Sequence, residues 1–65
     1  MRTLIHETAV VHPSAALGRD VEIGPYAVIG EGVRLGDGVR IGAHAFIAHA
    51  ELGARVRVFP SAAIG

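Results

Sequence analysis

Four histidines, His6, His12, His44 and His49, carry most of the chemistry available to this chain of 65 residues, which has no cysteine. An imidazole can act as general base or metal ligand near neutral pH, and a metal site needs several donors on one patch. Gly30-Glu31-Gly32 and Gly36-Asp37-Gly38 have the glycine density of a phosphate-cradling loop. Arg34, Arg40 and Arg57 could meet an anion, and Phe46 and Phe59 could anchor a contact between subunits. What each can do depends on the elements that position it.

Those elements follow a period of six. Counting from Ile5, the first position of each block reads Ile5, Val11, Leu17, Ile23, Ile29, Leu35, Ile41 and Ile47. It resumes after one short block as Leu52, Val58 and Ile64. The fifth position is Ala or Val throughout, from Ala9 to Ala62. Of the nine glycines, those at 18, 24, 30, 36, 42, 53 and 65 fall at position two, and Gly32 and Gly38 at position four. The three prolines, Pro13, Pro25 and Pro60, all fall at position three. A helix repeats its apolar face at three and four residues, so this is not a helical pattern. Each block is a short strand followed by a corner. The aliphatic at position one and the small residue at position five point inward, and Gly and Pro at positions two to four supply corner conformations. Three blocks make a triangular coil of about 18 residues, and coils stack by parallel pairing at about 4.8 Å.

The frame decides among the candidates. His6 and His12 fall on adjacent walls, as do His44 and His49. His6 with His44, and His12 with His49, share a wall but lie about 10 Å apart by the strand spacing. No pair presents two imidazoles to one metal ion within a chain, and corner histidines on the surface are the favoured reading. The Gly-Glu-Gly and Gly-Asp-Gly segments lack the strand–loop–helix setting of a phosphate loop, and the frame already accounts for their glycines. Arg34, Arg40 and Arg57 share the outward position six with Glu22 and Glu51, so a solvated, charge-paired face is expected. Phe46 at position six and Phe59 at position two should point outward, which suits a homo-oligomer contact.

Two irregularities stand out. Ile47-Ala48-His49-Ala50-Glu51 is one residue short. A gap at position three or four shortens a corner and leaves Ala50 and Glu51 in register. Ile64-Gly65 opens a new block, so residues 1–65 are expected to be the N-terminal part of one repeat domain, with further coils beyond. Charge and composition exclude several classes. Six arginines and no lysine balance six carboxylates, which argues against nucleic acid or an anionic membrane as partner. His6, Glu7 and Thr8 interrupt any signal-peptide core, and no apolar run approaches the roughly 20 residues of a membrane span. A soluble, cytoplasmic protein is expected.

Hexapeptide blocks of this kind resemble the left-handed parallel β-helix, an all-β fold, here with about three and a half coils. The handedness comes from that resemblance. Val11-His12-Pro13-Ser14-Ala15, Val21-Glu22-Ile23-Gly24-Pro25-Tyr26-Ala27-Val28-Ile29-Gly30 and Val58-Phe59-Pro60-Ser61-Ala62-Ala63-Ile64-Gly65 are similar to the N-terminus of the acyl-(acyl-carrier-protein)–UDP-N-acetylglucosamine O-acyltransferases of lipid A synthesis. That resemblance implies a cytoplasmic homotrimer with active sites between subunits. It implies a hydroxyacyl group passing from the thioester of acyl carrier protein to the 3-hydroxyl of UDP-N-acetylglucosamine, with no other cofactor and no metal. A histidine would act as general base. In the family it lies in a later coil, and none of His6, His12, His44 or His49 matches it, so no catalytic residue is expected within residues 1–65 and the chain alone should be inactive. The short block at 47–51 departs from the family spacing. Because the coils begin at residue 5, the related N-acyltransferase, which carries a separate N-terminal domain, is disfavoured. Other hexapeptide acyl- or acetyltransferases, a zinc-bridged γ-class carbonic anhydrase and a non-catalytic β-helix remain as alternatives.

Overall fold

In the computed structural model, residues 3–65 are described; Met1 and Arg2, the first two residues of the single expected unit, lie outside them. Eleven two-residue strands follow one another around three walls. The first wall holds β1 (Leu4–Ile5), β4 (Glu22–Ile23), β7 (Arg40–Ile41) and β10 (Arg57–Val58). The second holds β2 (Val10–Val11), β5 (Val28–Ile29), β8 (Phe46–Ile47) and β11 (Ala63–Ile64). The third holds β3 (Ala16–Leu17), β6 (Arg34–Leu35) and β9 (Glu51–Leu52). All pairings are parallel, so the chain is an all-β solenoid of hexapeptide coils, as the period of six implies.

The second residue of each strand is the position-one aliphatic, and it turns inward. Ile29 and Ile47 are fully buried on the second wall, as are the position-five residues Val21, Ala27, Val39 and Ala45. Stacking repeats each side chain above its counterpart: Val11 is the register partner of Ile29, Ile29 of Ile47, and Ile47 of Ile64. Small residues at position five leave room for the aliphatics where the triangle narrows, so the interior closes without polar groups. Burial falls toward the first coil, where Ile5 is 45% exposed.

Backbone groups are satisfied between coils. Along the second wall, Val28 N–H donates to Ala45 O at 2.8 Å and Gly30 N–H to Ile47 O at 2.6 Å. The corners form ladders of their own. His44 N–H donates to Pro25 O, Ser61 N–H to Ala43 O, His49 N–H to Glu31 O and Arg55 N–H to Asp37 O, at 2.8–3.0 Å. Each of these four donors has positive φ, between 51° and 65°. The left-handed corner residue therefore sits at position four, where Gly32 and Gly38 also have positive φ. Within the expected span of positions two to four, it is thus position four that takes the corner conformation, with Gly32 and Gly38 among its residues. Gly18, Gly24, Gly36 and Gly42 at position two answer a different constraint: the next coil passes close above them. A Cβ on Gly42 would lie 2.6 Å from Pro60 N and 2.9 Å from Phe59 C.

The short block behaves as the frame requires. The corner between β8 and β9 keeps the inward Ala48 and the left-handed His49 and drops the residue between them. Glu51 still pairs with Arg34 and Leu52 with Leu35, so the register changes from 18 residues to 17 while the inward set is preserved. A slip that was not absorbed in a corner would have sent every later side chain to the other face.

Candidate functional site

The histidines are distributed as the frame predicts, and the structure adds a role for two of them. The first coil has corners His6-Glu7-Thr8 and His12-Pro13-Ser14. In each, the backbone N–H two residues on donates to the imidazole Nδ1, at 3.2 Å from Thr8 and 3.0 Å from Ser14. The same Nδ1 lies 2.8 Å from the Thr8 or Ser14 hydroxyl. The hydroxyls in turn accept from the coil above, Tyr26 N–H to Thr8 Oγ1 at 2.9 Å and Gly32 N–H to Ser14 Oγ at 3.5 Å. The hydroxyls thus replace, at the first coil, the carbonyl that accepts this bond higher up. An imidazole whose Nδ1 accepts a hydrogen bond from an amide carries its proton on Nε2 when neutral, which leaves no free lone pair to take a proton from a substrate. Sequence reasoning missed this role. Its signal was the pairing of His at position two with Ser or Thr at position four in both blocks.

His44 stacks on Tyr26, with ring centroids 5.2 Å apart and planes inclined by 12°. His49 lies over Gly32, its Nδ1 3.2 Å from where a Cβ on that glycine would be. All four histidines are exposed. Among the described residues, no three of His, Asp and Glu converge as a metal site would require.

The arginines divide by wall. On the third wall Arg34 is the register partner of Glu51, an opposite-charge pair across the strands. On the first wall Glu22 lies beneath Arg40, Oε1 to Nε 4.0 Å, with both side chains about half exposed. Arg57 is the register partner of Arg40, so two guanidinium-bearing side chains leave adjacent strands side by side. The expected pairing is thus an ion pair for Arg40 with Glu22 and a register pairing for Arg34 with Glu51, and it leaves Arg57 beside a like charge.

Phe46 projects outward from β8 and is 47% exposed; Phe59, at the corner after β10, is 68% exposed. The structure shows what surrounds Phe46. The outward positions of the second wall are Val10, Val28, Phe46 and Ala63, stacked in register. Above the first coil, where the position holds Leu4 and Ala16, the other walls carry Glu22, Arg40 and Arg57, or Arg34 and Glu51, at the same position. One face of the triangle is therefore apolar on both its inner and outer surfaces. The residues were legible in the sequence, but only reading position six on every third block isolates them.

A stack of parallel hexapeptide coils with a dry aliphatic interior defines the hexapeptide-repeat class of β-helices. The family model described as bacterial transferase hexapeptide (six repeats) matches residues 2–35 and 14–49. The chain belongs to that family. None of the curated proteins compared with it matches.

Proposed function

We propose that these coils are the N-terminal portion of a cytoplasmic O-acyltransferase of lipid A synthesis. Its reaction moves a 3-hydroxyacyl group from acyl carrier protein to the 3-hydroxyl of UDP-N-acetylglucosamine, with the carrier's thioester as the only acyl source. The observation that carries the reading is membership of a transferase family across residues 2–49, joined to the resemblance of the Val11–Ala15, Val21–Gly30 and Val58–Gly65 segments. A left-handed winding goes with the same resemblance. Within this reading the coils are scaffold: a rigid parallel ladder that fixes where subunits meet, with the catalytic base supplied by other coils. The occupied Nδ1 atoms of His6 and His12 support leaving the first coil out of the chemistry.

The reading includes a homotrimer, and the second wall supports it. An outer strip of Val10, Val28, Phe46 and Ala63 removes apolar area from water only when another surface covers it. Placing Arg at its centre, Phe46→Arg, should reduce the molar mass by light scattering from three chains to one. An unchanged mass would remove the second wall from the interface.

A non-catalytic β-helix is the second reading, favoured by the occupied Nδ1 atoms of His6 and His12. Another hexapeptide acyl- or acetyltransferase shares the family evidence. The test is an acyl-transfer assay on the product of the full reading frame, offered UDP-N-acetylglucosamine with 3-hydroxyacyl carrier protein and, separately, acetyl-CoA with sugar and amino-acid acceptors. Acylated UDP-N-acetylglucosamine in the first assay supports the proposal. Transfer from acetyl-CoA alone replaces it with a different acyltransferase, and no transfer in either leaves the scaffold.

A further inference from the structure

Where the corner after the third wall meets the first wall, a groove of about 370 Å³ is lined by Asp20, Glu22, Gly38, Arg40, Arg55 and Arg57. We propose that this groove is a binding site for a small phosphate ester, held by Arg40, Arg55 and Arg57. The inference is independent of the acyl-transfer reading.

Three features carry it. The parallel register sets Arg40 directly beside Arg57, about 4.8 Å apart at the backbone. Like charges directly opposite each other on a sheet repel, and a bound dianion would turn that repulsion into attraction. Arg55, the left-handed corner residue two positions before Arg57, adds a third guanidinium from the adjoining corner. One level lower the same corner position is Gly38. The Arg55 side chain packs over that glycine, its Cγ 3.1 Å from where a Cβ would be, so the stem of Arg55 lies against the groove.

The acids set the selectivity. Asp20 and Glu22 form the lower rim, and Glu22 already offsets Arg40 at 4.0 Å. Three cations against two carboxylates leave the upper part of the groove positive and the lower part negative. That gradient suits a compact tetrahedral anion held at one end. It opposes a broad anionic surface such as a membrane, which would meet the carboxylates as well. Planar, bidentate guanidinium groups fit phosphate oxygens better than they fit chloride.

The test is a titration of the intact protein with inorganic phosphate at low ionic strength, followed by amide chemical shifts. Saturable shifts confined to Gly38, Arg40, Arg55 and Arg57 are expected. Affinity should fall about tenfold in Arg57→Gln and in Arg55→Gln, and stay unchanged in Arg34→Gln on the third wall. A second readout separates binding from a structural role. Without phosphate, Arg57→Gln should melt no lower than the wild type because a repulsion has been removed, and a given phosphate concentration should raise its melting temperature less than the wild type's. Equal affinity in wild type and Arg57→Gln, shifts spread equally over Arg34 and the third wall, or binding to anionic vesicles that phosphate does not displace would overturn the proposal.

Discussion

Ile29→Ala is expected to cost about 2–5 kcal/mol, the range for truncating a buried aliphatic to alanine. Ile29 is fully buried, and its register partners Val11 and Ile47 lie directly below and above it. Because each partner is held in the parallel ladder that joins its coil to the next, neither can sink into the space without breaking its own pairing. The site should therefore relax little, placing the cost toward the upper end. For a domain of this size, total stability is on the order of 3–10 kcal/mol, so the variant should be largely unfolded at physiological temperature or melt at least about 10 °C lower. Arg34→Ala, outward and exposed on the third wall, should change stability by no more than about 0.5 kcal/mol. Thermal unfolding followed by far-ultraviolet circular dichroism would check both. A shift of Ile29→Ala no larger than that of Arg34→Ala would contradict the inward stack.

The second large effect is expected at Gly42. A methyl group there meets backbone rather than a movable side chain, with Pro60 N at 2.6 Å and Phe59 C at 2.9 Å. The fourth coil would have to lift, straining the bonds that carry it, including Gly42 N–H to Val58 O at 2.8 Å. Gly42→Ala should therefore lose about 1–3 kcal/mol, as overpacking commonly does. At Gly30 the nearest atom is the Cβ of Ala48 at 3.2 Å, so Gly30→Ala should cost less than Gly42→Ala. Equal melting temperatures for the two variants would show that the coil spacing above Gly42 is looser than the structure has it. Hydrogen exchange would localise the damage, with protection lost first at Gly42 and in β10.

Much of this fold was legible because the period of six makes position and environment nearly the same thing. Ile23, Ile29, Leu35, Ile41 and Ile47 announce the interior by type and spacing, and the five-residue block at 47–51 can shorten only a corner if Ala50 and Leu52 are to stay inward. Corner chemistry was less legible. Position four takes the left-handed conformation with Tyr26, His44, His49, Arg55 and Ser61 as readily as with Gly32 and Gly38. The residue type therefore does not reveal the backbone there; the ladder from coil to coil imposes it. The repeat treats glycines at positions two to four alike as corner formers, whereas the crowding above Gly18, Gly36 and Gly42 at position two comes from the next coil and shows only in three dimensions. The roles of His6 and His12 were hidden for a similar reason, since the amides that depend on their hydroxyl partners lie 18 residues away. The outer face of the second wall was also concealed, because Val10, Val28, Phe46 and Ala63 never occur together in the sequence.

The placement on a wall of every residue after His49 depends on the register changing from 18 to 17 across Ala48-His49. The chain has no cysteine, so paired cysteines report that register without background. Arg40 and Arg57 are outward register partners, and a parallel-strand separation of about 4.8 Å lies within the range a disulfide spans. Under mild oxidation at low protein concentration, Arg40→Cys combined with Arg57→Cys should form an intramolecular disulfide. Arg40→Cys combined with Val58→Cys should not, because Val58 points into the core. A cross-link in the second pair and none in the first would contradict the register. It would move Arg57 out of the anion groove, take Ala63 off the apolar outer strip, and send the later position-one residues to the surface.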